Sequence, residues 1–451
     1  MGKKIVLILD RSYSVRYMKS ETFEIIVVCL SSQRRKQLEN QGFNIVGCFE
    51  DEYPEIPISE IPDNYLTHSF DSDRFLLHYD YEKRLEILGK EINFWSTIYD
   101  TYHPNCIVNE IVTIEFMEVM VIEASKRNIP YFRWGGLPFA PLDIWLVNHP
   151  YNSLMGDDYW NSINENENDI KKAIRYIQEI RINHQRPDYI LQSKKSKYEI
   201  LLNKIKASGN LIDIFVNHYI NSIKGKFQYE DYFYLRLQKF QNAVKLIFTN
   251  KKYDKFELNE NYDYFFYPLH YEPEAAVEYA GYYYNNQLMM IERIAHFLKV
   301  GQKLIVKEHP LKKGVLLSSK YQELKKRYSN LIFLPSTISA YEIYPHIKCI
   351  ITLNGTAGFE SWVCRRPVIV FGDVFYKDFP GVIACDSFKK LYEVIRNDQY
   401  QIADDEMITC YLAKLWHQLV SLTPYGKGSN NEDSLMNMTK QVECLLLKGF
   451  N

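Results

Sequence analysis

Leu304-Ile305-Val306-Lys307-Glu308-His309-Pro310, followed further along by Cys349-Ile350-Ile351-Thr352-Leu353-Asn354-Gly355-Thr356-Ala357-Gly358-Phe359-Glu360, is the stretch whose reading decides the fold. Each part is a short apolar, β-rich run that ends in a polar turn, and the second passes directly into a helical pattern. A helix start leaves backbone N–H groups unpaired and carries the positive end of the dipole, so an anion such as phosphate is favoured there. Gly355 and Gly358 leave room for close approach, Thr356 offers a hydroxyl, and Glu360 lies one helical turn on, able to face a sugar hydroxyl. Taken alone, this turn also reads as an ordinary strand-turn-helix with Thr356 as its N-cap. His309 adds weight to the ligand reading. It ends a strand of the same expected sheet, Pro310 fixes the exit of the chain, and open α/β sheets bind ligands outside the carboxyl ends of their strands. An imidazole there can donate to a phosphate or protonate a leaving group.

Working outward, the second half of the chain alternates strands at Tyr264–Leu269, Lys303–Lys307, Ile332–Leu334, Cys349–Leu353 and Val368–Phe371 with helices at Glu274–Val300, Ser318–Tyr328, Ser339–His346 and Ala357–Cys364. The first half repeats the rhythm. Its strands are Ile5–Leu9, Phe23–Leu30, Phe43–Phe49, Cys106–Asn109 and Pro130–Arg133, with helices at Ser31–Gln41, Phe75–Thr101 and Glu115–Arg127. Such alternation predicts doubly wound α/β domains with parallel sheets. Trp134-Gly135-Gly136-Leu137-Pro138 reads as a tight turn, and Asp143–Asp157 as irregular. At 451 residues the chain exceeds one core and predicts two domains of about 200 residues each. The boundaries expected are 1–227 for the first, 228–430 for the second and a final helix in 431–451. The helical segments Ser387–Asn397, Asp405–Leu422 and Asp433–Leu447 are expected to cross back toward the first domain.

A net charge of −2 gives no pull toward nucleic acid, so no such partner is expected. The eight cysteines show neither a Cys-x-x-Cys pair nor zinc spacing; this is the usage of a reduced, cytoplasmic protein, and no metal or cofactor is expected. The apolar run Ile5–Leu9 is too short for a signal peptide or a membrane span. Lys194, Lys195, Lys197, Lys204 and Lys206, with Lys224 and Lys226, form the one notable basic cluster. A solvated helix face is its default meaning, and peripheral contact with an anionic inner membrane is the alternative.

Lys307-x-His309-Pro310, Ser339-Ala340-Tyr341-Glu342, Asn354-Gly355-Thr356-x-Gly358-x-Glu360, Pro367-Val368-Ile369-Val370-Phe371-Gly372 and Tyr376 together resemble the bacterial capsule polysaccharide biosynthesis family that includes Kdo transferases. Tyr267-Pro268-Leu269-His270-Tyr271-Glu272-Pro273-Glu274 is similar to the same family's first strand and acidic loop. The resemblance implies a GT-B-like α/β fold, two Rossmann-like doubly wound domains facing a cleft, and an inverting glycosyltransferase that uses a CMP-sugar of the Kdo type. It implies a glycan or glycolipid acceptor. Carried over by position, Lys307 and Glu308 would lie at the base, His309 with Pro310 at the phosphate, Glu342 or Glu360 at the ribose, and Asn354, Gly355 and Thr356 at the phosphate. His270 and Glu274 would face the donor or acceptor sugar. The sequence departs from the pattern common among its relatives at Gly355, where serine is frequent, and at His270, where glutamine is common. The acidic residue before a Gly-Phe that serves relatives as base has no counterpart; Glu110, at a strand end of the first domain, is the substitute and Asp10 the reserve. A CDP-polyol phosphotransferase of the teichoic-acid type and a non-catalytic scaffold of capsule assembly are the other readings.

Overall fold

The computed structural model describes residues 3–11, 20–65, 68, 72–137, 140–147, 149–151, 157–184, 212–247, 252–272, 275–421 and 443. Strand β1 (Lys4–Asp10) is buried from Val6 to Asp10, as an apolar run covered on both faces of a parallel sheet must be. It lies beside β2 (Phe23–Cys29), which pairs with β3 (Asn44–Cys48), and on its other side beside β4 (Cys106–Asn109), then β5 (Tyr131–Leu137), all parallel. β6 (Ala140–Val147) folds back antiparallel on β5 with a register shift at Gly136/Leu137, so the Trp-Gly-Gly segment read as a tight turn is strand. Pro141 and Asp143, both poor strand formers, conceal β6 in the sequence.

The second sheet runs β12-β11-β10-β7-β8-β9, all parallel. Its strands are β7 (Asp263–Pro268), β8 (Gln302–Lys307), β9 (Leu331–Leu334), β10 (Ile347–Thr352), β11 (Val368–Val370) and β12 (Val382–Ala384). The two doubly wound α/β units are the pair of Rossmann-like sheets expected, the composition of a GT-B fold. In each sheet the chain starts at the middle, walks to one side and returns to build the other. The switch falls between β1 and β4 in the first sheet and between β7 and β10 in the second.

Helix ends follow local chemistry. α1 (Ser32–Glu39) starts on Ser31, whose hydroxyl accepts from Arg34 N. α2 (Tyr81–Tyr102) starts later than expected because Asp80 caps it, accepting from Lys83 N at 2.9 Å, and it ends where His103 turns left-handed. α3 (Glu115–Lys126) follows β4. α4 (Glu167–Asn183) is capped by Asn166. The long helix expected from Glu274 is broken, and α5 (Gln287–Phe297) begins only at its Asn286 cap. α6 (Ser319–Arg327), α7 (Ala340–Ile343), α8 (Thr356–Val363), α9 (Phe388–Arg396) and α10 (Asp405–Gln418) complete the second half. In α9, Leu391, Val394 and Ile395 are buried, the i, i+3, i+4 stripe of a helix lying on a sheet.

The chain divides into one unit of Met1–Tyr151, Ile200–Gln241 and Leu419–Asn451, and a second of Asn152–Glu199 and Asn242–Gln418. The contiguous ranges 1–227, 228–430 and 431–451 read from the sequence differ from this division. α4 buries Ala173, Tyr176, Ile177 and Ile180; Tyr176 meets Phe359 and Trp416, and Arg181 Nε donates to Val363 O at 2.8 Å. These contacts tie α4 to the second unit. α10, expected to cross back, packs with α4 in the second unit. The return is made by β13 (Val420–Ser421), antiparallel on β6. Of the expected helix at Asp433–Leu447, all but Glu443 lies outside the described residues.

Candidate functional site

β7 ends at Pro268 and β10 at Thr352, so the loops after them flank the switch of the second sheet. His270 closes that gap. Its buried ring sets Nε2 3.0 Å from Thr352 Oγ1 and 3.2 Å from Leu353 N. A backbone N–H can only donate, so Nε2 accepts and the ring's proton lies on Nδ1. Burial, and then His309, push His270 down to about 3, which keeps the ring neutral at physiological pH. Thr352 Oγ1 in turn accepts from Gly355 N at 3.2 Å. The loop carrying His270 is held by buried Gln287 at the start of α5, whose Oε1 accepts from His270 N at 2.6 Å while Nε2 donates to Glu272.

His309 follows β8, the neighbour of β7 on the other side. Its Nδ1 accepts from Leu311 N at 3.2 Å, which leaves the proton on Nε2. Burial, and then Lys307, push it down to about 4. The two imidazoles line one crevice together with Glu272, Gln287 and Lys312, and Lys312 Nζ lies 3.6 Å from Glu272. The site thus presents two neutral rings, each with one N–H donor, and the His270 ring abuts Gly355 at the start of α8.

The turn into α8 shows why its glycines are needed. Gly355 is the N-cap with φ −73° and gives no side-chain cap. A Cβ there would sit 2.9 Å from His270 Cε1 and 3.0 Å from Thr352 Oγ1. Gly358 is packed just as closely against Thr352 Cγ2, at 2.9 Å from a built Cβ, and against buried Tyr376, whose hydroxyl donates to Gly355 O. The open space expected beside these glycines is filled by protein side chains. Thr356 is the first residue of the helix, not its cap.

The remaining expected residues fall as follows. Glu308 is buried, and its carboxylate accepts from Gly314 N at 2.9 Å, Leu316 N at 3.0 Å and Tyr253 Oη at 2.8 Å. Burial raises its pKa against these bonds; its visible work is to pin the loop after His309. Lys307 is buried and its Nζ donates to Glu308 O at 3.1 Å, while Pro310 carries the chain out of the strand. Glu342 forms a capping box with Ser339 at the start of α7, on the same sheet edge, its Oε1 accepting from Ser339 N at 2.9 Å. Glu360 turns inward, accepting from the Tyr344 hydroxyl at 3.1 Å. Asn354 sits between Leu353 and the cap, half-buried. Glu274 lies outside the described residues. Thr352 and Gln287 were not singled out from the sequence. A threonine in an apolar strand was a usable signal for the first, but nothing local marks a glutamine whose partner is a backbone amide across a loop.

In the first unit Asp10 ends β1 and Glu110 follows β4, so both sit at that sheet's switch. Asp10 is fully buried and spanned by Arg34, Nε to Oδ2 at 2.7 Å and Nη2 to Oδ1 at 3.0 Å. Glu110 is half-buried, and its backbone carbonyl accepts from the Tyr131 hydroxyl. Burial acts to lower the pKa of Arg11, but Glu230, with Glu110 and Asp73 nearby, holds it charged. Among the described residues no cluster of three or more histidines, cysteines and carboxylates is placed to hold a metal ion.

Strand-end histidines and a helix N-terminus thus gather at the switch of a doubly wound α/β sheet. Residues 173–415, more than half of the chain, match the model of the family described as capsule polysaccharide biosynthesis protein. The chain belongs to that family. No curated protein matches it. Among solved structures, the β-Kdo 2,7 transferase of Thermosulfurimonas dismutans KpsC is 10% identical, with 92% of this chain and 98% of that chain covered at a TM-score of 0.43. The β-Kdo 2,4 transferase of the same KpsC is 12% identical, covering 69% and 80%, with a TM-score of 0.37. A UDP-GlcNAc 2-epimerase from Neisseria meningitidis, bound to UDP-GlcNAc, is 12% identical, covering 99% and 100%, with a TM-score of 0.24.

Proposed function

We propose that the chain is a glycosyltransferase of capsular or other surface polysaccharide synthesis, taking its sugar from a CMP-sugar of the Kdo type and inverting the anomeric centre. The observation that carries this is His270 closing the β7/β10 switch on Thr352 and Leu353 while sharing a crevice with His309. Transfer from a CMP-sugar breaks the bond between the anomeric carbon and a phosphate oxygen, so negative charge grows on the departing phosphate. Preorganised donors aimed at that charge lower the barrier most. His309 Nε2–H, His270 Nδ1–H and the first amides of α8 are such donors, and neutral rings supply them without needing to be protonated. Glu342 and Asn354, on the same edge of the sheet, are the proposed ribose and phosphate neighbours. Glu308 acts indirectly, by holding the loop that carries His309.

The acceptor hydroxyl must lose a proton, for which a carboxylate serves as general base. Glu110 is that base in this proposal; Asp10 is tied up by Arg34. The acceptor is a glycan or glycolipid, the reaction takes place in the cytoplasm, where activated sugars are made, and no metal is required, so activity should survive EDTA. The pair of imidazoles also favours a second reading, phosphoalcohol transfer from a CDP-polyol. A donor panel tests both. Hydrolysis or transfer with CMP-Kdo supports the first, turnover of CDP-glycerol replaces it with the second, and tight CMP binding with no turnover of any donor leaves a scaffold.

A further inference from the structure

A helix over residues 212–223 belongs to the first unit and shows its apolar side to solvent. Ile212, Phe215, Val216, Tyr219, Ile220 and Ile223 recur at i, i+3, i+4, i+7, i+8 and i+11, the spacing of one helical face. Buried faces normally carry that pattern. Here Ile212 is 67% exposed, Phe215 50%, Tyr219 57% and Ile223 68%. Two of its side chains meet the chain beyond: Phe215, half-exposed, touches Phe233 at 5.6 Å between ring centroids. His218 Nδ1 pairs with Asp231, and the His218 ring stacks on Phe233 at 4.6 Å. Tyr232, Tyr234 and Phe240, which follow, are also exposed, so the apolar surface extends beyond the helix. Large apolar side chains exposed in such number mark an interaction surface.

Charge identifies the partner. Exposed Lys224 and Lys226 follow the helix, and Arg236 is exposed in the next one. Against these three the helix carries one acidic residue, exposed Asp213. A second copy of this chain would bring the same positive charge to the interface, which opposes self-association. An apolar stripe with basic residues beside it is the surface that inserts at the headgroup level of an anionic bilayer. We infer that the 212–223 helix docks the protein on an anionic membrane surface, with Phe215, Tyr219 and Ile223 entering the interface and Lys224 and Lys226 meeting lipid phosphates. This goes beyond the donor chemistry proposed above and does not depend on it.

The test uses the full chain and vesicles of phosphatidylcholine, with or without phosphatidylglycerol. The protein is expected to sediment with the anionic vesicles and not with the neutral ones, and raised salt should weaken the partition. Phe215→Glu with Ile223→Glu should lower that partition about tenfold or more; Lys224→Glu with Lys226→Glu should lower it without touching the apolar stripe. Thermal unfolding matching the parent chain shows that the variants are folded, and donor hydrolysis in solution should be unchanged in both. Absence of binding to anionic vesicles, equal binding to both vesicle types, or full binding by the Phe215/Ile223 variant overturns the inference. Concentration-dependent self-association abolished by that variant, without vesicle binding, overturns it in favour of a second copy.

Discussion

Gly358→Ala probes the packing behind the α8 turn most directly. The added Cβ would lie 2.9 Å from Thr352 Cγ2 and 3.1 Å from Tyr376 Cζ, with Tyr376 Oη nearer still. Thr352 and Tyr376 are fully buried, and the Tyr376 hydroxyl is committed to Gly355 O. Neither can swing away, so the turn itself must move. Overpacking of this kind costs about 1–3 kcal/mol, and loss of the tyrosine hydrogen bond adds about 1 kcal/mol. The better helix propensity of alanine returns up to about 1 kcal/mol. The net is about 1–3 kcal/mol of destabilisation, which for a unit of this size lowers Tm by roughly 3–10 °C. Calorimetry of the parent and the variant measures it. Tyr376→Phe removes the nearest atom, so in that background Gly358→Ala should cost about 1 kcal/mol less, a coupling that a double-mutant cycle isolates. Because Gly355 abuts His270, CMP affinity should fall with stability. An unchanged or raised Tm, or strict additivity with Tyr376→Phe, would refute the claim that this glycine exists for close approach.

His309→Ala should lower turnover by about two or more orders of magnitude if its N–H stabilises the leaving phosphate, and near-normal turnover with every donor would remove it from the site. Glu110→Gln should leave CMP affinity intact and slow transfer about a hundredfold or more; unchanged transfer would place the base elsewhere. Asp10→Ala should act on folding, since it strips Arg34 of its buried partner at a cost of about 3 kcal/mol or more, and a stable but inactive variant would return Asp10 to the chemistry. His270 and His309 are pushed down to about 3 and about 4, while unfolded histidine takes its proton near ~6.5. The unfolded chain therefore binds more protons below that pH. Stability should be full above about pH 6.5 and fall as pH drops toward 4, with a slope approaching ~1.4 kcal/mol per pH unit for each imidazole. Urea midpoints at pH 7, 6 and 5 should show a shallower fall in His270→Gln, and identical slopes would mean that His270 is protonated in the folded state.

Much of the architecture was legible because it is written locally. β1, β8 and β10 are apolar runs whose length and flanking turns identify them, and the βαβ alternation predicts parallel sheets with ligands at their carboxyl ends. Asp10, Glu110, His270, His309 and Gly355 all lie at the carboxyl ends of strands, as the sequence pattern led one to expect. Elements set by distant partners were misread. β6 is a strand because β5 and β13 pair with it, not because Ala140–Val147 favours one. α4 joins the second unit because Tyr176 and Arg181 find Phe359, Trp416 and the Val363 carbonyl there.

The same division holds within the site. The sequence by itself determined that a histidine, two glycines and a helix start would gather at the carboxyl edge of a parallel sheet, because strand ends and turn residues follow from short-range pattern. Only the tertiary structure decided what each side chain does there, since that depends on which hydrogen-bond partner reaches it across the fold. Leu353 N–H sets the tautomer of His270, Leu311 N–H that of His309, Arg34 takes Asp10, and the loop amides of Gly314 and Leu316 take Glu308.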